Sequence, residues 1–69
     1  MLEPLNLTSM EAQVLTLMFE SKPTEEIAWL LGITPGTVRF HLKNVYTRAG
    51  VKGKLGLVAL AYRQGGFLW

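Results

Sequence analysis

Residues 24–49, TEEIAWLLGITPGTVRFHLKNVYTRA, decide the fold of this chain. They contain two helical patterns separated by Gly32, a residue type that commonly ends a helix. Thr34 and Pro35 follow, and they supply an N-cap hydroxyl and a proline at the first helical position, both typical of a helix start. Two helices joined by a short turn that contains glycine are typical of a helix-turn-helix. We therefore predict this motif over residues 24–49, with its second helix ending before Gly50.

Two more helices are predicted, one on either side of this segment. Thr8 and Glu11 form a capping box, and an apolar periodic run follows them, so a first helix should extend over about 9–20. A fourth helix should extend over about 54–64 and end at a pair of glycines. No alternating apolar run is long enough for a strand. The sequence therefore predicts an all-α fold of four helices, in a single domain over residues 1–69.

The composition of the chain limits its chemistry. There is no cysteine and no aspartate, and there is one histidine. Disulfides and thiolate metal sites are thus excluded, and a small domain without such staples fits the cytoplasm. A catalytic triad needs a nucleophile, a base and an orienting residue, and a metal site usually takes several His, Cys or carboxylate ligands. We therefore expect no enzymatic activity, no metal and no other cofactor. Since no apolar run is long enough to span a bilayer, we expect no membrane partner either.

Charge is distributed unevenly along the chain. All five glutamates precede residue 27, whereas six of the seven lysines and arginines lie from Arg39 onward. A segment with cations and no acids is typical of proteins that bind polyanions. A solvated basic surface without such a partner has the same pattern, so charge alone leaves both interpretations open.

The helix predicted to end before Gly50 has one apolar and one polar face. At about 100° per residue, four side chains fall in a narrow apolar sector that should pack on the other helices: Val38, Leu42, Val45 and Ala49. The opposite sector consists of Gly36, Arg39, Phe40, Lys43, Asn44 and Thr47. In the major groove, Arg or Lys can bond guanine, Asn can pair with adenine, and an apolar group can contact the thymine methyl. The predicted base-reading residues are accordingly Arg39, Phe40, Lys43 and Asn44.

Other polar residues of the same helix are predicted to hold phosphates. Thr34 and Thr37 lie at its N-terminus, which attracts anions, and Arg48 is a nearby cation. His41 lies at the edge of the apolar sector and is either structural or phosphate-bonding rather than a metal ligand. Phe40 also has an alternative, because an aromatic ring on a polar helix face is often covered by a neighbouring loop or partner.

The fourth predicted helix is apolar on nearly every side. We expect Leu57, Val58 and Ala61 to face the core. The outer face then includes two small residues that would allow close approach of a twofold mate: Gly56, Ala59, Leu60 and Arg63. With the flanking Leu55 and Tyr62, this set is the predicted interface of a homodimer. The alternatives are an exposed apolar surface without a partner, or one covered by a domain that is missing from this chain.

The chain resembles the LuxR/GerE-type helix-turn-helix family over nearly its whole length. Matching residues keep the family's spacing without a gap, and they are Leu7, Thr8, Glu11, Val14, Leu15, Glu26, Ile27, Ala28, Leu31, Ile33, Thr37, Val38, Arg39, His41, Asn44, Val51, Val58, Ala61 and Gly65. The family comprises bacterial transcription regulators whose third helix enters the major groove and whose fourth helix forms the dimer. The resemblance implies base contacts on the face already identified. It also implies backbone contacts at Thr24, Lys52 and Lys54.

Several residues depart from the family pattern. Met10 stands where the family usually has arginine, so we expect an ion pair that ties the first helix to the rest to be missing. Pro23 replaces a capping Ser or Thr, and Glu25 stands where lysine often lies near phosphate. Trp29 and Leu30 fall where the family is commonly polar, and they are candidates for an additional contact surface.

The sequence thus predicts a transcription regulator that binds double-stranded DNA as a twofold dimer. RNA polymerase or another regulator is a further candidate partner. The chain is either free-standing or the effector part of a longer regulator. The alternative is a protein-interaction module derived from the same family, which uses Phe40, Trp29 and Leu30 to hold another regulator instead of DNA. Salt-dependent binding to a duplex would distinguish the two hypotheses.

Overall fold

The computed structural model describes residues 6–63 and residue 65. This part of the chain forms four helices and no strand: α1 (Ser9–Phe19), α2 (Thr24–Leu31), α3 (Pro35–Ala49) and α4 (Lys54–Arg63). The predicted all-α fold is confirmed. α1 ends one residue before the predicted Glu20, which is its C-cap. Gln64, the predicted last residue of α4, lies outside the described residues. No described helix has the length and apolar character needed to cross a membrane.

Side-chain caps begin α1 and α3 as the sequence predicts. The Thr8 hydroxyl accepts a hydrogen bond from the Glu11 N–H at 3.1 Å, and the Glu11 carboxylate accepts one from the Thr8 N–H at 3.0 Å. The Thr34 hydroxyl accepts from the Thr37 N–H at 3.1 Å at the start of α3. These bonds satisfy backbone donors that a helix start leaves unpaired, which explains why both helices begin at these positions.

The turn between α2 and α3 is fixed by backbone and apolar contacts. Gly32 has a φ of 70°, in the left-handed region that glycine adopts at little cost. The Ile33 N–H then donates to the Ala28 carbonyl at 3.0 Å, which closes the end of α2. Ala28 is buried, and Ile33 packs against the core. The angle between the two helices is therefore set by packing as well as by the turn.

The core is apolar and is formed mainly by α1, α2 and α3. Its buried members are Val14, Leu15, Met18, Ile27, Ala28, Val38, Val45 and Leu57. The apolar sector predicted for α3 is confirmed, because two of its residues are in this set and Leu42 and Ala49 pack against it. Burial of one face of α3 leaves its opposite face to solvent, and that face carries the predicted site.

An ion pair joins α1 to α3. The Arg48 guanidinium contacts the Glu11 carboxylate and also donates to the Asn6 carbonyl at 3.3 Å. Met10 has no charge and cannot form the ion pair that the family's usual arginine at this position would make, but a different pair, between the neighbouring Glu11 and a cation from α3, ties α1 to the rest. Its bond to Arg48 holds the pKa of the Glu11 carboxyl below its usual value, against the opposing effect of burial.

α4 is rotated relative to the predicted orientation. Leu57 is fully buried, and Leu60 and Ala61 pack against the core, whereas Val58 is 42% exposed. The inward residues follow the i, i+3, i+4 spacing of one helix face, and Val58 falls outside it. Gly56 also faces inward, because a Cβ added there would lie 2.8 Å from the Val51 Cβ. The predicted outward orientation of Gly56 and Leu60 was therefore wrong.

Candidate nucleic-acid interface

The outer face of α3 carries the base-reading candidates. Arg39, Phe40 and Lys43 are exposed on it, and Phe40 retains 59% of its accessible surface. No loop in the described part of the chain covers the aromatic ring. Phe40 instead makes an edge contact with the His41 ring, with centroids 5.8 Å apart. Asn44 is half-buried, whereas Arg39, Phe40 and Lys43 are exposed.

α3 and the turn that follows it border a shallow basic depression. Arg39, Lys43 and Lys52 line it together with the Thr47 hydroxyl, and it encloses about 320 Å³. The depression has an apolar floor that includes Leu42, Tyr46 and Val51, and no carboxylate lines it. Lys52 comes from the turn between α3 and α4, so the fold adds a cation to those of the helix. Three cations without an acid create a positive field at which a polyanion can bind.

The N-terminus of α3 presents a pair of hydroxyls. The Thr34 and Thr37 side-chain oxygens are 2.8 Å apart, and Thr34 also accepts the Thr37 N–H. The bond between the hydroxyls uses one of their two protons, so the other can be donated to an acceptor outside the protein. Together with the positive end of the helix dipole, this arrangement suits a phosphate oxygen.

The N-terminus of α2 is less suited to phosphate. Thr24 is half-buried there, and Pro23 provides no side-chain cap. Two carboxylates occupy the first turn, Glu25 and Glu26, and the second of them lies 3.7 Å from the Lys22 ammonium. These charges stabilise the helix start but repel an incoming anion. The structure thus gives Thr24 a weaker position than Thr34.

The other predicted phosphate contacts are not gathered at one place. Lys54 is exposed in the first turn of α4 and does not line the basic depression. His41 is half-buried beside Phe40. Arg48 is committed to Glu11, which gives it a structural role that the sequence reading missed. On a helical projection Arg48 lies next to the apolar sector and not opposite to it, and that placement was a usable signal.

The outer face of α4 is apolar. Leu55 and Tyr62 are 86% and 87% exposed, and Val58 and Ala59 lie between them on the same side. Arg63 is exposed at the end of the helix. Of the six predicted interface residues, four are therefore on this face, while Gly56 and Leu60 point inward. Val58 takes a place there that the sequence reading had assigned to the core.

These features define a helix-turn-helix protein in which the second helix of the motif exposes a largely polar face. The chain belongs to the luxR family of bacterial regulatory proteins, whose sequence model, GerE, matches residues 5–61. This is a family of DNA-binding transcription regulators and not of enzymes, so the resemblance inferred from the sequence is confirmed.

Known relatives support the family assignment. The chain is 41% identical over 59 residues to the spore germination protein GerE of Bacillus subtilis, covering 86% of this chain and 80% of that protein. It is 37% identical over 60 residues to a putative HTH-type transcriptional regulator of Mycobacterium tuberculosis, covering 87% of this chain and 7% of that regulator. The probable transcriptional regulatory protein SgaR of Hyphomicrobium methylovorum is 37% identical over 55 residues, covering 80% of this chain and 26% of SgaR. No solved structure matches the chain with significant similarity.

Proposed function

We propose that this protein is a cytoplasmic transcription regulator that binds double-stranded DNA sequence-specifically, as a twofold dimer with α3 in the major groove. The observation that carries the proposal is the outer face of α3, where Arg39, Phe40 and Lys43 are exposed. Long cations beside an apolar ring form a surface that base edges can match. A protein partner, RNA polymerase or another regulator, belongs to the same proposal.

Base reading is divided among three side chains in this proposal. Arg39 and Lys43 bond guanine edges, and the Phe40 ring contacts a thymine methyl between them. Asn44 is half-buried, so it contacts a base only at the edge of the site. A good bidentate contact discriminates against the wrong base by about 1–3 kcal/mol, so Arg39 contributes most of the specificity.

Phosphate contacts fix the orientation of α3 and carry no sequence information themselves. We assign them to the Thr34 and Thr37 hydroxyls at one end of α3 and to Lys52 at the other. Lys54, His41 and Thr24 are secondary candidates. Lys54 does not line the basic depression, His41 is half-buried, and Thr24 lies beside the two carboxylates of the first turn of α2. Arg48 is not included, because release of its guanidinium would leave the buried Glu11 carboxylate unpaired.

A salt titration tests DNA binding. Duplexes selected from a random pool would be titrated by fluorescence anisotropy across a series of salt concentrations. We expect the logarithm of the binding constant to fall linearly with the logarithm of the salt concentration, because each neutralised phosphate releases counterions. Binding that ignores salt, or no binding to any duplex, would support the protein-interaction alternative instead.

The dimer is assigned to the outer face of α4, since its exposed apolar residues are those that a twofold mate would cover. The residues concerned are Leu55, Val58, Ala59 and Tyr62, with Arg63 at the rim. Val58→Glu should give a soluble monomer in sedimentation, because a charge would be buried at the centre of the interface. Gln13→Glu introduces the same charge on α1 and should leave the mass unchanged. A monomeric parent protein, or an unchanged mass of the Val58 variant, would count against this interface.

A further inference from the structure

The link between α3 and α4 is short and is held by backbone hydrogen bonds at both ends. Gly50 follows α3 with a φ of 71°, and the Val51 N–H donates to the Tyr46 carbonyl at 3.0 Å. This pattern is the Schellman end of a helix. On the other side of the link, the Gly53 carbonyl accepts the first backbone bond of α4 at 3.1 Å. Only residues 50–53 separate the two helices, so the link has little freedom to absorb a change in the direction of α4.

Val51 lies between the proposed DNA face and α4. On one side it belongs to the apolar floor of the basic depression, together with the cation of Lys52. On the other side it faces α4, where a Cβ built on Gly56 would lie 2.8 Å from the Val51 Cβ and 3.2 Å from its Cγ1. Carbon atoms in favourable contact are about 3.5–4.0 Å apart. Position 56 therefore has room for a hydrogen atom, and any side chain there would push Val51 and α4 apart.

The backbone conformation does not explain why a glycine stands at position 56. The positive φ values among the described glycines belong to Gly32, Gly50 and Gly65, and Gly56 is not one of them. Gly56 lies inside α4, and glycine is less favourable than alanine in the interior of a helix. The close approach of Val51 is thus the feature of the structure that requires this glycine.

α4 is the element that a side chain at position 56 would displace. α3 is held by two buried valines and by the ion pair of Arg48 with Glu11, whereas Leu57 is the one buried residue of α4 among those described. The outer face of α4 would move together with its helix axis. The contact between Gly56 and Val51 therefore determines the direction in which α4 leaves α3.

We propose that this contact sets the spacing of the two DNA half-sites that the protein prefers. The proposal rests on the proposed function, in which α3 enters the major groove and the outer face of α4 forms a twofold interface. In such a dimer the two α4 helices are fixed to each other, and each α3 is fixed to its own α4. The separation of the two recognition helices, which must match the spacing of the half-sites, then follows from the angle between α3 and α4. Gly56 is accordingly a positioning residue that touches no base.

Gly56→Ala tests the proposal, with Gly53→Ala as the matched control. Both substitutions add one methyl group beside the same link, but a Cβ at Gly53 would have nothing within 4 Å, and Gly53 has no positive φ. The probes are duplexes with two copies of the half-site selected from the random pool, separated by spacers that differ by one base pair. A duplex with a single half-site is included. Affinities of the full chain would be measured by fluorescence anisotropy.

We expect the parent and Gly53→Ala to prefer the same spacer. Gly56→Ala should prefer another spacer, or its preference for the best spacer over the neighbouring ones should fall about threefold, because the mismatch is then taken up by deforming the DNA. Its affinity for the single half-site and its mass in sedimentation should equal those of the parent, since the outer faces of α3 and α4 are unchanged. A side chain that only maintained the fold would not alter the spacer preference selectively.

Two further variants test the same contact from the side of Val51. Gly56→Ala combined with Val51→Gly moves the Cβ from one side of the contact to the other and should restore the spacer preference of the parent. Val51→Ala adds no atom and removes the two methyl groups that pack towards Gly56, so it should broaden the preference even if Gly56→Ala fails to fold. The preference is a ratio of affinities, so a general loss of DNA binding does not affect it.

The outcomes distinguish this proposal from the proposed function. If the parent prefers one spacer and both Gly56→Ala and Val51→Ala keep that preference unchanged, this proposal is overturned and the dimer stands. Equal losses of Gly56→Ala on every duplex, including the single half-site, would also overturn it, because the glycine would then only maintain the fold. A parent that binds the half-site without preferring any spacer would overturn the twofold dimer and this proposal with it.

Discussion

α3 and α4 follow one another in the chain, yet they expose opposite kinds of surface. The outer face of α3 has Arg39 and Lys43 around a single ring, whereas the outer face of α4 is dominated by Leu55 and Tyr62. The first surface is well hydrated without a partner, and its positive charge attracts a polyanion. The second is poorly hydrated, and its burial against another apolar surface is favourable because apolar area is removed from water. The described part of the chain thus presents two adjacent surfaces that suit different kinds of partner.

The two helices are also attached to the core differently. α3 contributes the buried Val38 and Val45 and is tied to α1 by the Arg48 ion pair. α4 has one fully buried residue, Leu57, and no α4 side chain forms an ion pair within residues 6–63. Its close approach depends on Gly56, where a Cβ would collide with Val51. We therefore expect the attachment of α4 to be the more easily disrupted.

The largest effect is predicted for Leu57→Ala. The substitution leaves a cavity at the contact of α4 with the core and should lower the free energy of unfolding by about 2–5 kcal/mol. The free energy would be measured by denaturant unfolding followed by circular dichroism. Leu55→Ala is the matched control, since Leu55 is 86% exposed, and it should change stability by less than about 0.5 kcal/mol. Equal losses in both variants would mean that α4 packs with a different face.

This difference also explains what the sequence could predict. On α3 a narrow apolar sector faces a polar one, so a helical projection correctly identified the buried and exposed sides. α4 has almost no polar residue to distinguish its faces, and its rotation follows from the contact between Gly56 and Val51, two residues separated by a turn. The Glu11–Arg48 pair joins distant parts of the chain: a helical projection places Arg48 next to the apolar sector of α3, but it does not reveal that Glu11 is the partner. The position of Lys52 in the lining of the basic depression could not be predicted either, because it depends on the conformation of the turn after α3.

Arg39→Ala is predicted to separate base reading from general attraction to DNA. It should weaken binding to the selected site by about 1–3 kcal/mol, because a bidentate contact to guanine is lost, and should leave the fold intact. Anisotropy with the selected duplex and with a scrambled duplex would measure both affinities. Lys22→Ala removes a cation outside the basic half of the chain and is the control. Equal losses on the two duplexes would show that Arg39 contacts phosphate.

Glu11→Gln should weaken the attachment of α3 to α1 in a pH-dependent way. The pKa of Glu11 is lowered in the folded protein, so its ion pair stabilises the fold above the pKa of the unfolded chain. That stabilisation is lost as the pH falls through the lower folded pKa. At neutral pH the variant should lose about 1–3 kcal/mol, as for a hydrogen bond to a charged group. When unfolding is measured from pH 7 down to about 3, the free energy of unfolding should decline less for the variant than for the parent, because glutamate titrates near 4.3.

Gln13→Glu, at an exposed position of α1, is the control for a change of surface charge. Parallel pH curves for Glu11→Gln and the parent would contradict the stabilising role of the Glu11–Arg48 pair.

The smallest effect concerns Phe40, the large apolar residue on the polar face of α3. If the ring contacts a thymine methyl, replacement of that thymine by uracil removes the methyl and should cost the parent about 1 kcal/mol, the low end for one changed base pair. Phe40→Ala should bind the thymine and uracil duplexes equally, because the contact is already gone, and Phe40→Leu should keep part of the preference. A scan that replaces each thymine of the half-site in turn would locate the contact. A parent protein indifferent to every replacement would show that the Phe40 ring contacts no thymine methyl, and base reading on the outer face of α3 would then rest on Arg39 and Lys43.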